Sequence, residues 1–442
     1  MLQAFRNIFR IPELRTKMLV TAAFLILYRL GSYIPIPGLD REALSRLLGK
    51  GGTGGLADIL STISMLTGGS LQQCTLFALG IMPYISASII FSLLTKVIPG
   101  LEALSKEGES GRQKINQYTR YSTIILCLVQ SVFIILWIKS QDLVRDPGFG
   151  FWASTILTLT AGTIFLMWIG EQITEFGIGN GISLVIMGGI VADLPGAIYQ
   201  WAAGVRSAAE RGENVPVEVL KFIIFITLFV AIVVAVVIMQ QGQRRIRIQQ
   251  AKHTKGRRVY GGQRHYLPLR VNAAGVMPVI FASSLIAIPS AVLTPFIPAI
   301  GEYFNRGDSF WYLTIYVTLV IFFTYFWVSL TFNPVELSTQ MKEHGSFIPG
   351  IRPGKKTAEY LEAIMNRVTF VGAVFLAFIG VFPTIATGLL GMDQVLTRFL
   401  GGTGILIVVG VALDVVQKIE SHLLMRHYEG FMKTGRVRGR RG

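Results

Sequence analysis

Charge is scarce in this chain. Asp, Glu, Lys and Arg make up 15% of the 442 residues, where soluble proteins carry about 25%. So few charges cannot cover a water-facing surface of this size. Division into several soluble domains does not help, since each would need its own charged shell, whereas a bilayer removes the need. Cysteine is nearly absent: Cys74 and Cys127 are the only two, and both lie in apolar stretches, which excludes a disulfide framework or a thiolate zinc site. The five histidines (His253, His265, His344, His422, His427) fall in polar connections or the tail. No HExxH, P-loop lysine or GxSxG elbow occurs, so no catalytic residue, cofactor or metal is expected and the chain does not read as an enzyme.

What is present is long apolar runs. A membrane-spanning helix needs about 20 mostly apolar residues. Ten runs qualify, near 18–35, 75–95, 119–138, 152–171, 181–201, 218–239, 272–293, 311–332, 368–387 and 402–419. Phe222 to Met239 is the cleanest, while glycine, serine, proline or aspartate interrupt the second, fifth and tenth. The first run follows arginines, exceeds a signal-peptide core and lacks a cleavage site, so it reads as a retained anchor.

Basic residues orient the spans. With the arm carrying Arg6, Arg10, Arg15 and Lys17 in the cytosol, both termini are cytosolic. Counting span-end residues with their neighbouring loops, the cytosolic side then holds 30 of the 41 Lys and Arg, the outer side holds 10, and Arg29 lies within the first span. The expected organisation is an N-terminal half (1–203), an external linker (204–217), a C-terminal half (218–420) with cytosolic loops 240–270 and 333–367, and a basic tail (421–442). Five spans per half give the halves opposite orientation, as an inverted repeat requires.

A short segment, Leu56 to Met65, sits between glycine-rich stretches at Gly49–Gly55 and Thr67–Ser70. Leu56, Ile59, Leu60 and Ile63 recur at helical spacing, with Asp58 and Ser61 among them. The residues favour an interfacial amphipathic helix; a hinged helix folding back into the membrane is the alternative.

Ion-coupled transport usually needs carboxylates or histidines near the bilayer midplane. Here Glu171, Glu175, Asp193 and Glu336 lie at span ends. Asp414 is the one nearest a span interior, with Lys418 a turn away. That disfavours an inverted-repeat secondary transporter, which remains the alternative. Thr75, Gln130 and Asn272 supply uncharged polarity to the spans, for which helix–helix hydrogen bonding suffices. Residues 240–270 hold nine basic residues and no acidic one. That excess suits a polyanionic partner, RNA or an acidic protein face, and leaves a membrane-anchored nucleic-acid binder as a third reading.

Seven stretches, in order, carry a resemblance: FALGIMPYISAS (77–88), KEGESGRQKINQYTRY (106–121), GEQITEFGIGNGIS (170–183), QAKHTKGRRVYGGQ (250–263), LPLRVNAAGVMP (267–278), FIPGIRPGKKTAEYL (347–361) and GGTGILIVV (401–409). Together they resemble the SecY/Sec61-alpha family, channel subunits of the Sec protein translocase. The resemblance implies an all-α polytopic fold, with ten transmembrane helices in two inverted five-helix halves around an hourglass pore. It implies a pore ring of Ile81, Ile85, Ile186, Ile280 and Ile407, and a plug at 56–65 that includes Leu56, Asp58, Ile59, Leu60 and Ile63. A lateral gate at Thr75, Gln130 and Asn272 would release signal sequences and membrane helices sideways. Arg257, Arg258 and Arg352 would dock a motor or ribosome. The implied setting is the bacterial inner membrane, in a heterotrimer with SecE and SecG. SecA or the ribosome (through its RNA) would supply energy, signal peptides and nascent chains would be the cargo, and YidC, SecDF and membrane lipids are further associates. Three departures stand out: Phe176 and His253 replace usual basic residues, and Gln72–Gln73 is unusually polar.

Overall fold

The structure, a computed structural model, describes residues 11–39, 74–140, 143–144, 148–210, 215–250, 253–255, 258–260, 264–282, 285–286, 309–390 and 402–434. The expected plug, with Leu56, Asp58, Ile59, Leu60 and Ile63, lies outside them, as do Gln72, Gln73 and Arg257. The described elements are α1 (Pro12–Gly31), α2 (Met82–Val97), α3 (Pro99–Lys106), α4 (Glu109–Ser140), α5 (Phe149–Phe176), α6 (Gly181–Glu210) and α7 (Val215–Gln241). Strands β1 (Gln243–Gln250), β2 (His253–Lys255), β3 (Arg258–Tyr260) and β4 (Arg264–Arg270) follow. Then come α8 (Phe310–Thr331), α9 (Pro334–Glu343), β5 (Ser346–Phe347), α10 (Lys355–Leu390) and α11 (Gly402–Thr434).

Among the described residues, six helical stretches are long and apolar enough to cross a bilayer; the bent pair α2–α3, turning by 99°, could make a seventh. In hydrocarbon only a helix or a closed barrel satisfies its own backbone, and this chain is a multi-pass helical membrane protein. Large apolar side chains stay exposed along these helices, such as Ile125, Phe133 and Leu136 on α4 and Phe370, Val374 and Phe378 on α10, as lipid-facing surfaces require. α1 and α11 fall on the first and tenth expected runs but carry charges, including Arg15, Lys17 and Arg29 on α1 and Asp414 and Lys418 on α11. The Asp414–Lys418 pair is made at 3.2 Å. The seventh run is described as helix over 277–282.

Of the described residues, one compact unit takes 11–194 and 407–434, and the other takes 195–406. One division falls at Pro195, inside α6, where proline removes a backbone donor, and the other between Leu406 and Ile407, inside α11.

In the first unit α4, α5 and the turns that precede α2 pack around Ala78, Leu79, Cys127, Ile135, Ile138 and Leu159, and α2 packs against α4. Buried hydroxyls on α4 bond back along the helix, Thr123 to the Thr119 carbonyl and Ser131 to the Cys127 carbonyl, each at 2.7 Å, which satisfies them without a partner helix. Close approach is needed at Gly162, where a Cβ would collide with the Leu76 carbonyl. A second cluster joins Leu14 and Met18 of α1, Ile178 of the α5–α6 turn, and Val415, Ile419 and Leu423 of α11.

In the second unit α8 packs on α10, and the described parts of both expected loops carry strands or helix. β1 pairs with β4 in an antiparallel hairpin from Gln243↔Arg270 at its root to Gln249↔Arg264. β5 joins the same sheet through Gln249↔Phe347, so the two loops form one body. Ile246 and Leu269 turn onto Met341, Ile348, Leu361 and Met365, while Arg245 and Arg247 are exposed. This two-residue alternation of a half-buried strand holds the sheet against α9 and the start of α10.

Candidate channel gate and docking surface

Thr75 does not open a helix. It sits in an isolated bridge with Pro35, held by Ile36 N–H to the Cys74 carbonyl (3.1 Å) and Leu76 N–H to the Ile34 carbonyl (2.8 Å). Successive turns then lead to α2 at Met82, with Gly80 at φ +57° and Pro83 in the first helical turn. Proline suits that first turn and fixes the start, so the second apolar run is helical seven residues later than its hydrophobicity suggests. Ile81 is the N-cap residue of α2 and is buried. The Ile85 N–H bonds its carbonyl at 3.1 Å, one helical turn on.

Ile186 is half-buried on α6, and Ile407 is buried in the run Ile405–Leu406–Ile407 near the start of α11. Ile81, Ile85, Ile186 and Ile407, with Gln130, half-buried on α4, belong to the first unit. Ile280 belongs to the second, half-buried between the buried Val279 and Ala282.

Asn272, in the second unit, adjoins the hairpin root. The Val271 N–H bonds the Gly242 carbonyl at 2.9 Å, and the Gly242 N–H bonds Ile238 of α7 at 2.8 Å. α10 presses on the same point: a Cβ on Gly372 would lie 2.6 Å from the Val271 carbonyl. The Asn272 Oδ1 is buried with no hydrogen-bond partner among the described residues. A buried acceptor left unpaired costs about 1–3 kcal/mol.

Arg352 projects from a fixed turn. Gly350 (φ +84°) and Gly354 (φ +100°) take left-handed conformations on either side of it, a backbone that side chains other than glycine resist. Thr357 Oγ1 donates to the Arg352 carbonyl at 2.9 Å, and the N–H groups of Thr357 and Ala358 bond Gly354. The arginine side chain itself is exposed. Arg258 stands opposite Lys255, and His253 opposite Tyr260, in the short β2–β3 hairpin.

Two features escape a reading by residue type. The α5–α6 turn looks acidic and unbalanced in sequence, yet Arg120 of α4 reaches Glu171 at 2.8 Å. The same turn is pinned by Thr21 Oγ1, which accepts the Ile178 N–H (3.2 Å), and by Thr174 Oγ1, which accepts the Gly181 N–H (2.9 Å); Phe176 points out, exposed. The second is an open groove of about 240 Å³ lined by Arg244, Arg245, Ile246, Arg247, Ile348, Pro349 and Tyr360. Its signal in the sequence is the run QRRIRI, directly after the most apolar span.

Comparison with known proteins gives consistent relationships. The chain is 44% identical over 447 residues to a protein translocase subunit SecY of Thermotoga maritima, with both chains fully covered. Its fold is similar to a solved protein-conducting channel, with a TM-score of 0.60 and 19% identity over 92% of each chain. It is also similar to Sec61 in a canine ribosome–channel complex from the endoplasmic reticulum, with a TM-score of 0.59 and 18% identity over 92% of each chain. The SecY family model matches residues 75–416, and the chain belongs to the SecY family.

Proposed function

We propose that this chain is the pore-forming subunit of a Sec translocon. It passes unfolded secretory chains across the membrane and releases signal sequences and membrane helices through a lateral gate. The observation that carries this is family similarity running the whole length of the chain, which displaces the transporter alternative. Ten spans in two inverted halves, in a bacterial inner membrane with both termini cytosolic, fit that function and the basic-residue bias. The chain performs no chemistry of its own; SecA or a translating ribosome drives transport, with SecE and SecG completing the channel. A ribosome partner is supported by the similarity to Sec61 in a ribosome–channel complex.

Ile81, Ile85, Ile186, Ile280 and Ile407 act as the constriction. Branched apolar side chains dewet a narrow pore yet part for a passing chain, and 56–65 serves as the plug. Thr75, Gln130 and Asn272 set the lateral gate, and Arg257, Arg258 and Arg352 dock the motor or ribosome. Replacing Ile81 or Ile407 with asparagine should wet the ring, raise ion conductance in planar bilayers and allow export of substrates with defective signal sequences. Retained ion tightness together with full signal-sequence stringency would place the gate elsewhere.

A further inference from the structure

α7 ends in two glutamines, Gln240 and Gln241. Ile232, Val236 and Gln240 recur every fourth residue and so share one face of the helix. The first two are buried and Gln240 is half-buried. An apolar side chain would continue that face if packing were all it served. Instead the Gln240 Nε2 donates to the Leu406 carbonyl of α11 at 3.1 Å.

The acceptor is a backbone atom. In a helix each carbonyl bonds the N–H four residues on, and a second lone pair is left over for a side chain. A bond to that carbonyl holds α11 at one register, since no rotamer change of Leu406 releases it. Leu406 is fully buried and directly precedes Ile407 of the proposed ring. It is also the last residue of the second unit, to which Gln240 belongs as well. The bond therefore fixes α11 at the point where the chain passes from one unit to the other.

On its other side Gln240 adjoins the hairpin with little slack between them. The sheet begins three residues later, at Gln243, which pairs with Arg270. The Gly242 N–H bonds the Ile238 carbonyl at 2.8 Å, and the Gly242 carbonyl accepts the Val271 N–H at 2.9 Å. Backbone bonds thus fix the chain from the last turn of α7 into both strands, and one side-chain bond continues the path to α11.

We propose that Gln240 is a positioning residue for the constriction. Its amide ties the root of the β1–β4 hairpin to the backbone that carries Ile407, so that load on a docked hairpin reaches the ring through this bond. The inference rests on the ring role given above to Ile407 and goes beyond it in naming what holds that residue in place.

The test uses the full-length chain in its membrane complex, in planar bilayers without substrate. Gln240→Met keeps the length and removes the donor. Gln240→Glu keeps the shape, and at neutral pH its carboxylate only accepts. Loss of the donor is what the two variants share. An average side-chain bond between membrane helices corresponds to about a threefold change in an equilibrium. Resting ion conductance should therefore rise about threefold in Gln240→Met, and at least as much in Gln240→Glu. Export of substrates with defective signal sequences should rise in parallel. With Ile407→Asn already wetting the ring, Gln240→Met should add little, a non-additivity that general loosening of the fold would not give. Binding of SecA and of ribosomes to the channel in nanodiscs should match wild type. Either variant suffices where the other fails to assemble. Wild-type tightness in either, beside a leaking Ile407→Asn, would overturn the proposal and leave the ring standing, whereas tightness in Ile407→Asn as well would end both. An undiminished increase on top of Ile407→Asn would also overturn it, by placing the effect of Gln240 away from the ring. So would weakened docking in Gln240→Met, which would make the glutamine part of the docking surface.

Discussion

Leu361 is fully buried at the start of α10, beneath the sheet and beside Ile246, Leu269, Met341, Ile348 and Met365. Truncation to alanine removes apolar contact and leaves a cavity, which in well-packed cores costs about 3–5 kcal/mol. The cavity would open where the sheet meets the helices, so most of that loss should appear as easier local opening of β1 and β4. At 1.4 kcal/mol per tenfold, amide exchange in 243–250 and 264–270 should speed up by about a hundredfold or more. Hydrogen–deuterium exchange by mass spectrometry on the protein in nanodiscs reads this directly. Val374→Ala on the exposed side of the same helix is the control and should change hairpin exchange little. If Leu361→Ala accelerated exchange in α10 while β1 and β4 kept their protection, the apolar cluster would not be what holds the hairpin, and the rigid-body view of the two loops would fall.

Three other substitutions probe separate parts of the chain. Asn272→Leu removes a buried acceptor that has no partner among the described residues and should raise thermal stability by about 1 kcal/mol or more; it should also shift disulfide-trapping yields between the second and seventh spans, with unchanged yields arguing against a gate role. Arg352→Lys keeps the charge but loses the planar fork; membrane insertion should be normal while SecA-driven translocation into vesicles slows several-fold, and wild-type rates would reduce Arg352 to a topology signal. Gly162→Ala drives a Cβ into the Leu76 carbonyl and should cost about 1–3 kcal/mol, seen as a lowered melting temperature that Gly148→Ala, with open space around it, does not share.

Apolar runs of bilayer length made most of the helices legible, because hydrocarbon leaves the backbone few other options. Helix ends were less legible. The second run is apolar from Leu76, yet Gly80 and Pro83 hold the helix back to Met82; hydropathy measures solvent preference, not backbone geometry. The sheet was hidden for another reason. QRRIRIQQ alternates charged and apolar residues, a strand signal, but its meaning depends on Arg264–Arg270 and Ser346–Phe347, the latter about a hundred residues away. Total charge in 240–270 pointed to a partner but could not separate Arg244 and Arg247, which lie in the β1–β4 sheet, from Arg258, which lies in the separate β2–β3 hairpin. The Arg120–Glu171 pair was likewise invisible: nothing in either motif says that α4 and α5 bring them to 2.8 Å.

The hairpin's position bears on how docking could reach a gate. Arg270 closes the root of the sheet, and Asn272 follows two residues later. Gly242 and Val271 are joined there by a backbone hydrogen bond, leaving little slack between sheet and asparagine. Polar contacts between membrane helices average only about 0.6 kcal/mol, while each arginine engaged by a phosphate surface is worth about 1 kcal/mol. A partner pulling on several tip arginines therefore commands more free energy than the proposed gate contacts resist. The two sets of variants separate these roles. Loosening the sheet through Leu361→Ala should uncouple docking from gating with Asn272 intact, whereas Asn272→Leu should alter gating with docking intact. If both changed docking affinity alike, the hairpin and the gate would be one binding surface, and no transmission through residues 270–272 would be needed.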